Sequence, residues 1–107
     1  MLPSVLKLSE EQLSQIETLA ATNYAPRTIA KYLDVNEKIF IKEWKEPTSL
    51  VRHHYDRGIL EAEFLINNGL LQLAKAGNIT ASQEFRKIAE AKRVEELKSQ
   101  ILFSDET

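Results

Sequence analysis

An all-α chain is what this sequence predicts, with a three-helix head followed by a two-helix arm. Three observations predict it. Pro and Gly number only three each, too few to punctuate a set of strands and turns. No β-branched run alternates apolar with polar residues over the length of a strand. Apolar residues instead recur at three- and four-residue spacings in five stretches, each opening on a capping residue or a Pro.

The elements follow in order. Met1 to Leu8 holds Pro3 and alternates apolar with polar residues, so an extended lead-in is expected, with Leu6 or Leu8 packing back as a staple. Ser9 is a good N-cap, and Gln12 three residues on completes a capping box, with acidic Glu10 and Glu11 in the first turn. The first helix then runs to about Thr22, with Leu13, Ile16, Leu19 and Ala20 facing inward, and Asn23 ends it. A second helix starts near Ala25 or Pro26, where Pro is tolerated, and ends near Leu33 with Ile29, Ala30 and Leu33 inward. Asp34 and Val35 make a tight corner. Asn36 caps a third helix over about Glu37 to Lys45, whose inward residues are Ile39, Phe40 and Trp44. Pro47 biases Glu46 away from helix and closes the head.

The stretch from Pro26 to Trp44 looks like a helix-turn-helix. Ala30 is small where two helices must approach, and Val35 is the apolar plug in an otherwise polar turn. Such turns usually carry Gly where Asp34 stands. Asp tolerates the left-handed conformation better than most residues. Two helices joined this way, the second free to enter a major groove, form a DNA-reading device.

Thr48 or Ser49 caps a fourth helix from about Leu50 to Ala76, roughly 40 Å long at 1.5 Å per residue. Its apolar residues fall on two stripes. Val51, Tyr55, Ile59, Ala62, Ile66, Leu70 and Leu73 form the broad one, and Leu60, Phe64 and Leu71 the narrow one. Gly58 and Gly69 inside this helix each cost about 1 kcal/mol relative to Ala, so close helix contact is expected in compensation. Gly77-Asn78 breaks the helix, and Thr80 with Gln83 caps a fifth over about Ala81 to Leu102. Phe85, Ile88 and Ala91 form its early apolar face, and Val94, Leu97 and Ile101 a rotated later one. Ser104 to Thr107 is an acidic tail expected to fray. The full expectation is a helix-turn-helix unit over residues 1–47 and an antiparallel helical hairpin over 48–107. A hairpin covers one face of each helix. Leu60, Phe64, Leu71, Val94, Leu97 and Ile101 therefore remain for a second copy, which predicts a homo-oligomer.

Composition narrows the function. The 107 residues carry a net charge of −2, which is not the balance of a protein that coats DNA non-specifically. Residues 1–58 hold eight basic and eight acidic side chains, so DNA contact must come from local placement. With Ile39, Phe40 and Trp44 inward, Glu37, Lys38, Ile41, Lys42 and Lys45 face outward or flank. The three lysines at i, i+4 and i+7 form one line able to reach phosphates or guanine edges. Asn36 can read adenine or simply cap, Ile41 can touch a thymine methyl, and Arg27, Thr28 and Lys31 lie near the DNA backbone. The plain alternative is that the lysine line is solvated surface, partly neutralised by Glu43 and Glu46. Arg52, His53 and Arg57 are candidates for a further DNA contact. His53 and His54 point about 100° apart on a helix, so a metal site is not expected there. No cofactor is implied. No Gly-rich phosphate loop, Cys nucleophile or placed Ser-His-acid set is present, so an enzyme is not expected. The absence of Cys fits a reducing cytoplasm, and no segment has the length of a membrane span or the pattern of a signal peptide.

The order of features from about residue 8 to 100 resembles the small terminase subunit of tailed bacteriophages and prophages. The matching stretches are LSEEQLSQIETLAA, APRTIAKYLDVNEKIFIKEW, Tyr55-Asp56-Arg57-Gly58 and LAKAGNITASQEF. The helix-turn-helix alone is shared by many DNA-binding proteins. Its combination with the YDRG step and the AGN break is more specific. The resemblance implies a protein in the bacterial host cytoplasm that binds double-stranded viral DNA, assembles as a ring, and hands the DNA to a large terminase subunit with ATPase and nuclease activity. Two other functions fit the same residues: a dimeric helix-turn-helix transcriptional regulator, and a helical assembly protein that binds no DNA.

Overall fold

The structure, a computed structural model, describes residues 6–103. The described residues form five helices and no strand: α1 (Glu10–Ala21), α2 (Pro26–Leu33), α3 (Glu37–Lys45), α4 (Leu50–Lys75) and α5 (Ile79–Phe103). The first residues of the expected lead-in and the whole acidic tail lie outside this range. Helix positions agree with the sequence expectation to within two residues at every end. The capping box is formed: Ser9 Oγ accepts the Gln12 N–H at 3.1 Å, and the Ser9 N–H donates to Gln12 Oε1 at 3.0 Å. The start of α5 needs correction. Asn78, not Thr80, caps it, accepting the Ala81 N–H at 2.8 Å, and the helix begins at Ile79.

Three helices end by one device. Asn23, Asp34 and Gly77 have positive φ, at 70°, 57° and 97°. After each, a pair of N–H groups folds back on the last helical carbonyls. Tyr24 and Asn23 donate to Leu19 and Ala20, Val35 and Asp34 to Ala30 and Lys31, and Asn78 and Gly77 to Leu73 and Ala74, all at 3.0–3.2 Å. This is the Schellman arrangement, which satisfies otherwise orphaned carbonyls and turns the chain sharply. Asp34 thus fills the left-handed position that Gly usually takes. Asp34→Val is expected to lose about 1–2 kcal/mol, because a β-branched residue resists that conformation. Asp34→Gly is expected to lose nothing. Thermal melts of the two variants check this.

Two compact units divide at Phe64 and Leu65, later than the division at residue 47 expected from sequence. The first unit closes over Ile16 and Ala20 of α1, Ile29, Ala30 and Leu33 of α2, Phe40 of α3 and Val51 of α4. Phe40, Ile16 and Ile29 are fully buried. Leu8, Leu13, Val35, Ile41, Trp44 and Tyr55 pack around them. The opening turns of α4 therefore belong to the head, with Val51 in its core. Gly58 is the tightest point: a Cβ there would stand 2.2 Å from the Glu17 carbonyl oxygen of α1. The close helix contact expected for Gly58 is present. Gly69 has nothing within 4 Å of the same position, so the chain itself offers no such contact there.

The junction between α3 and α4 is tied by side chains. Ser49 Oγ accepts the Arg52 N–H at 3.0 Å and donates to the Glu43 carbonyl at 2.5 Å. Arg52 donates through Nη1 to the Trp44 carbonyl at 3.3 Å, and its guanidinium lies 4.8 Å from the Trp44 ring centroid. Tyr55 meets the same ring edge-on at 5.6 Å. Charge, cap and ring stacking together fix how α4 leaves α3.

The second unit contains the end of α4, the turn at Gly77, and α5. Ala81 is its buried residue, and Asn67, Leu70, Leu71, Ala74, Phe85 and Ile88 are half-buried. The broad stripe expected along all of α4 is only partly covered. Val51 is buried and Tyr55, Ala62 and Leu70 are half-buried, but Ile66 is 63% and Leu73 52% exposed. A periodic stripe assumes one partner for the whole helix. Here the first half packs in one unit and the second half in another, so the covered residues change along its length.

Candidate nucleic-acid interface

The corner at Asp34 and the cap at Asn36 set the start of α3, because Asn36 Oδ1 accepts the Ile39 N–H at 3.0 Å. Phe40 then locks α3 into the core, while Ile39 and Trp44 are half-buried beside it. That fixes the outward face. Arg27, Glu37, Lys38, Ile41, Lys42 and Lys45 line one open groove, and Arg27, Lys31, Asp34, Val35 and Glu37 line a second. Arg27 and Glu37 belong to both, so the two grooves form one continuous surface across α2 and α3.

Each expected DNA-facing residue can be placed. Arg27, Thr28, Lys31, Asn36, Glu37, Lys38, Lys42 and Lys45 are exposed. Ile41 differs from the expectation: it is half-buried and packs partly on the core, so only its edge reaches the groove. Lys31, Lys38, Lys42 and Lys45 enter no ion pair among the described residues. A lysine with no partner carries its charge to a phosphate without first breaking an internal pair.

Sequence inspection missed one feature of this surface. Arg27 Nε donates to Glu37 Oε1 at 2.7 Å, bridging the first turns of α2 and α3. The hydrogen bond and the nearby carboxylate charge hold the Arg27 guanidinium above its ordinary value. The two residues stand ten apart across a corner, and no helical spacing rule links them. Glu37 therefore masks Arg27 and places a negative charge beside the lysine line. Glu37→Gln is expected to tighten DNA binding several-fold and to raise the salt slope by about one. Titrations at two salt concentrations measure both.

The second cationic cluster, around residues 52–57, is engaged inside the fold. Arg52 pairs with Asp56 at 3.0 Å, Arg57 with Glu61 at 3.3 Å, and His54 Nδ1 with Glu17 at 2.5 Å. His53 stacks edge-on to His54 and lines a groove with Leu50, Asp56, Arg57 and Leu60. The His54–Glu17 pair joins α4 to α1, the other two pairs run along α4, and together they leave less unpaired charge here than the bare sequence suggests. Among the described residues no group of three or more His, Cys, Asp or Glu is placed to hold a metal ion, and no helix is long and apolar enough to cross a membrane.

Of the residues expected at an oligomer interface, Leu60, Phe64, Val94, Leu97 and Ile101 are exposed, with Phe64 at 64%. Leu71 is half-buried, because it lies on the covered side of the second unit. Comparison with protein-family models, curated proteins and solved structures finds no match to this chain.

Proposed function

We propose that this chain is a DNA-binding adaptor of the small terminase type. Its α2–α3 pair acts as a helix-turn-helix on double-stranded DNA, and α4 and α5, folded as a hairpin, assemble copies into a ring that delivers the DNA to a large terminase subunit. The observation that carries the DNA-binding part is the set of four lysines, Lys31, Lys38, Lys42 and Lys45, exposed on one surface of α2 and α3 with no ion-pair partner among the described residues. In a chain of net charge −2, such a clustering supports a polyanion as the partner. The exposed Leu60, Phe64, Leu65 and Ile66 on α4 and Val94, Leu97 and Ile101 on α5 support self-assembly, since apolar area of this extent is seldom left to water. The large-subunit role rests on the resemblance of the motif order. One copy binds DNA weakly, and an assembly gains by avidity without new contacts.

Mass in solution tests the assembly. Light scattering is expected to give a homo-oligomer above two subunits. A dimer favours the regulator, because twofold operators mirror twofold proteins. The double variant Leu60→Asp with Phe64→Asp is expected to shift the mass toward monomer while the far-ultraviolet spectrum stays helical. An unchanged mass removes that ridge from the interface.

A further inference from the structure

On the footing of the self-assembly proposed above, we infer that copies join head to tail through the second unit: the outer stripe of α4 in one copy seats on the outer stripe of α5 in the next. Asn67 of α4 and Phe85, Ile88 and Lys92 of α5 line one groove, which marks where the two helices meet. Leu70, Leu71 and Ala74 are covered on that side of α4, and Ala81 on that side of α5. By the helical period, Leu65, Ile66, Gly69 and Leu73 then fall on the side of α4 turned away from this joint, and Val94, Leu97 and Ile101 on the far side of α5. The larger of these side chains are 43–67% exposed. No residue of α4 from Phe64 to Ala74 carries a charge, in a chain where 28% of residues do. An exposed helix surface without charge is a poor solvent face and a good buried one.

The two stripes differ in a way that favours each other. Gly69, with nothing within 4 Å of a Cβ position, leaves a hollow between Leu65, Ile66 and Leu73. Val94, Leu97 and Ile101, at three- and four-residue spacings, form a ridge. Together the six large side chains offer on the order of 600 Å² of apolar surface, close to the apolar share of a small stable interface. Pairing α5 with its own copy would set the charged flanks of the ridge, Lys87, Glu90, Glu95 and Lys98, against themselves. Pairing α4 with its own copy would leave the ridge in water. Joining α4 to α5 covers both stripes with one repeated contact and places no like charge opposite another. A contact between unlike surfaces on opposite sides of one unit propagates, and it ends only by closing a ring.

Mixing two full-length variants, each with one stripe blocked, tests this. Ile66→Lys with Leu73→Lys blocks α4, and Val94→Lys with Leu97→Lys blocks α5. All four positions are exposed, so far-ultraviolet circular dichroism should remain helical. Where a lysine pair lowers helicity, the alanine pair at the same positions carries the same test. At a concentration that assembles the unaltered chain, sedimentation is expected to find each variant alone as a single chain. Their equimolar mixture should give the mass of two chains and no more, because one good α4 stripe meets one good α5 stripe and both free ends are blocked. A dimer from either variant alone would show a twofold contact and overturn the inference. So would a variant that assembles like the unaltered chain, or a mixture that stays as single chains. Each of these leaves self-assembly itself standing. An unaltered chain that sediments as a single chain would overturn the self-assembly proposal and this inference with it.

Discussion

Lys38→Ala combined with Lys42→Ala is expected to lower the slope of log affinity against log salt by about two per bound copy. Each lysine that meets a phosphate displaces a condensed counterion, and the slope counts those events. At about 0.1 M salt the same loss weakens binding on the order of 10- to 100-fold, and the two curves converge toward 1 M. The expectation rests on exposure and the lack of an internal partner: both side chains are exposed, and neither forms an ion pair among the described residues. The fold should not suffer, because both lie opposite the core-facing Phe40. Fluorescence anisotropy with one labelled duplex over a range of salt measures the slope. A parallel displacement of the curve with the slope unchanged would remove these lysines from the contact.

Gly58→Ala carries the largest expected effect on stability, a loss of about 3 kcal/mol. The added methyl would stand 2.2 Å from the Glu17 carbonyl oxygen and 2.8 Å from its carbonyl carbon and Cα. These are backbone atoms, so no rotamer change relieves the clash. α1 and α4 must separate, which loosens the packing of Ile16 and Ala20 near Val51 and stretches the His54–Glu17 pair. Against this stands the helix preference of Ala over Gly, about 1 kcal/mol and therefore the smaller effect. Gly69→Ala separates the two contributions. With nothing within 4 Å, only the helix preference operates, and the variant should gain about 1 kcal/mol. Trp44 is the sole Trp and lies in the first unit against Arg52 and Tyr55, so its fluorescence in a denaturant titration reports Gly58→Ala directly. Far-ultraviolet circular dichroism reports Gly69→Ala.

Helix positions were legible in the sequence because their signals are local. Ser9 with Gln12, Pro26, Asn36, and Gly77 after an apolar run each act within one turn of themselves. The head core was legible for the same reason: Ile16, Ala20, Ile29, Ala30, Leu33 and Phe40 follow the helical period and are all buried. What sequence reading missed depends on partners distant along the chain. Ile66 and Leu73 belong to a clean stripe, yet stay exposed because the end of α4 is covered on the side of Asn67, Leu70 and Leu71. Ile41 reads as outward by its spacing from Phe40, but the first unit extends far enough to half-cover it. Arg27–Glu37 and His54–Glu17 join residues on different helices, and no periodicity announces such pairs. On the candidate surface the lysines are exposed, as their helical spacing from Phe40 requires, whereas the pairing of Glu37 with Arg27 follows from no spacing.

Four lysines on α2 and α3 serving as the duplex-binding surface is the central claim, and anisotropy of the full chain with a labelled duplex at about 50 and 200 mM salt tests it most directly. The account predicts saturable binding at the lower salt and at least a tenfold loss at the higher, as expected where three or more lysines each meet a phosphate. Absence of binding at the lower salt, or binding indifferent to salt, would contradict it.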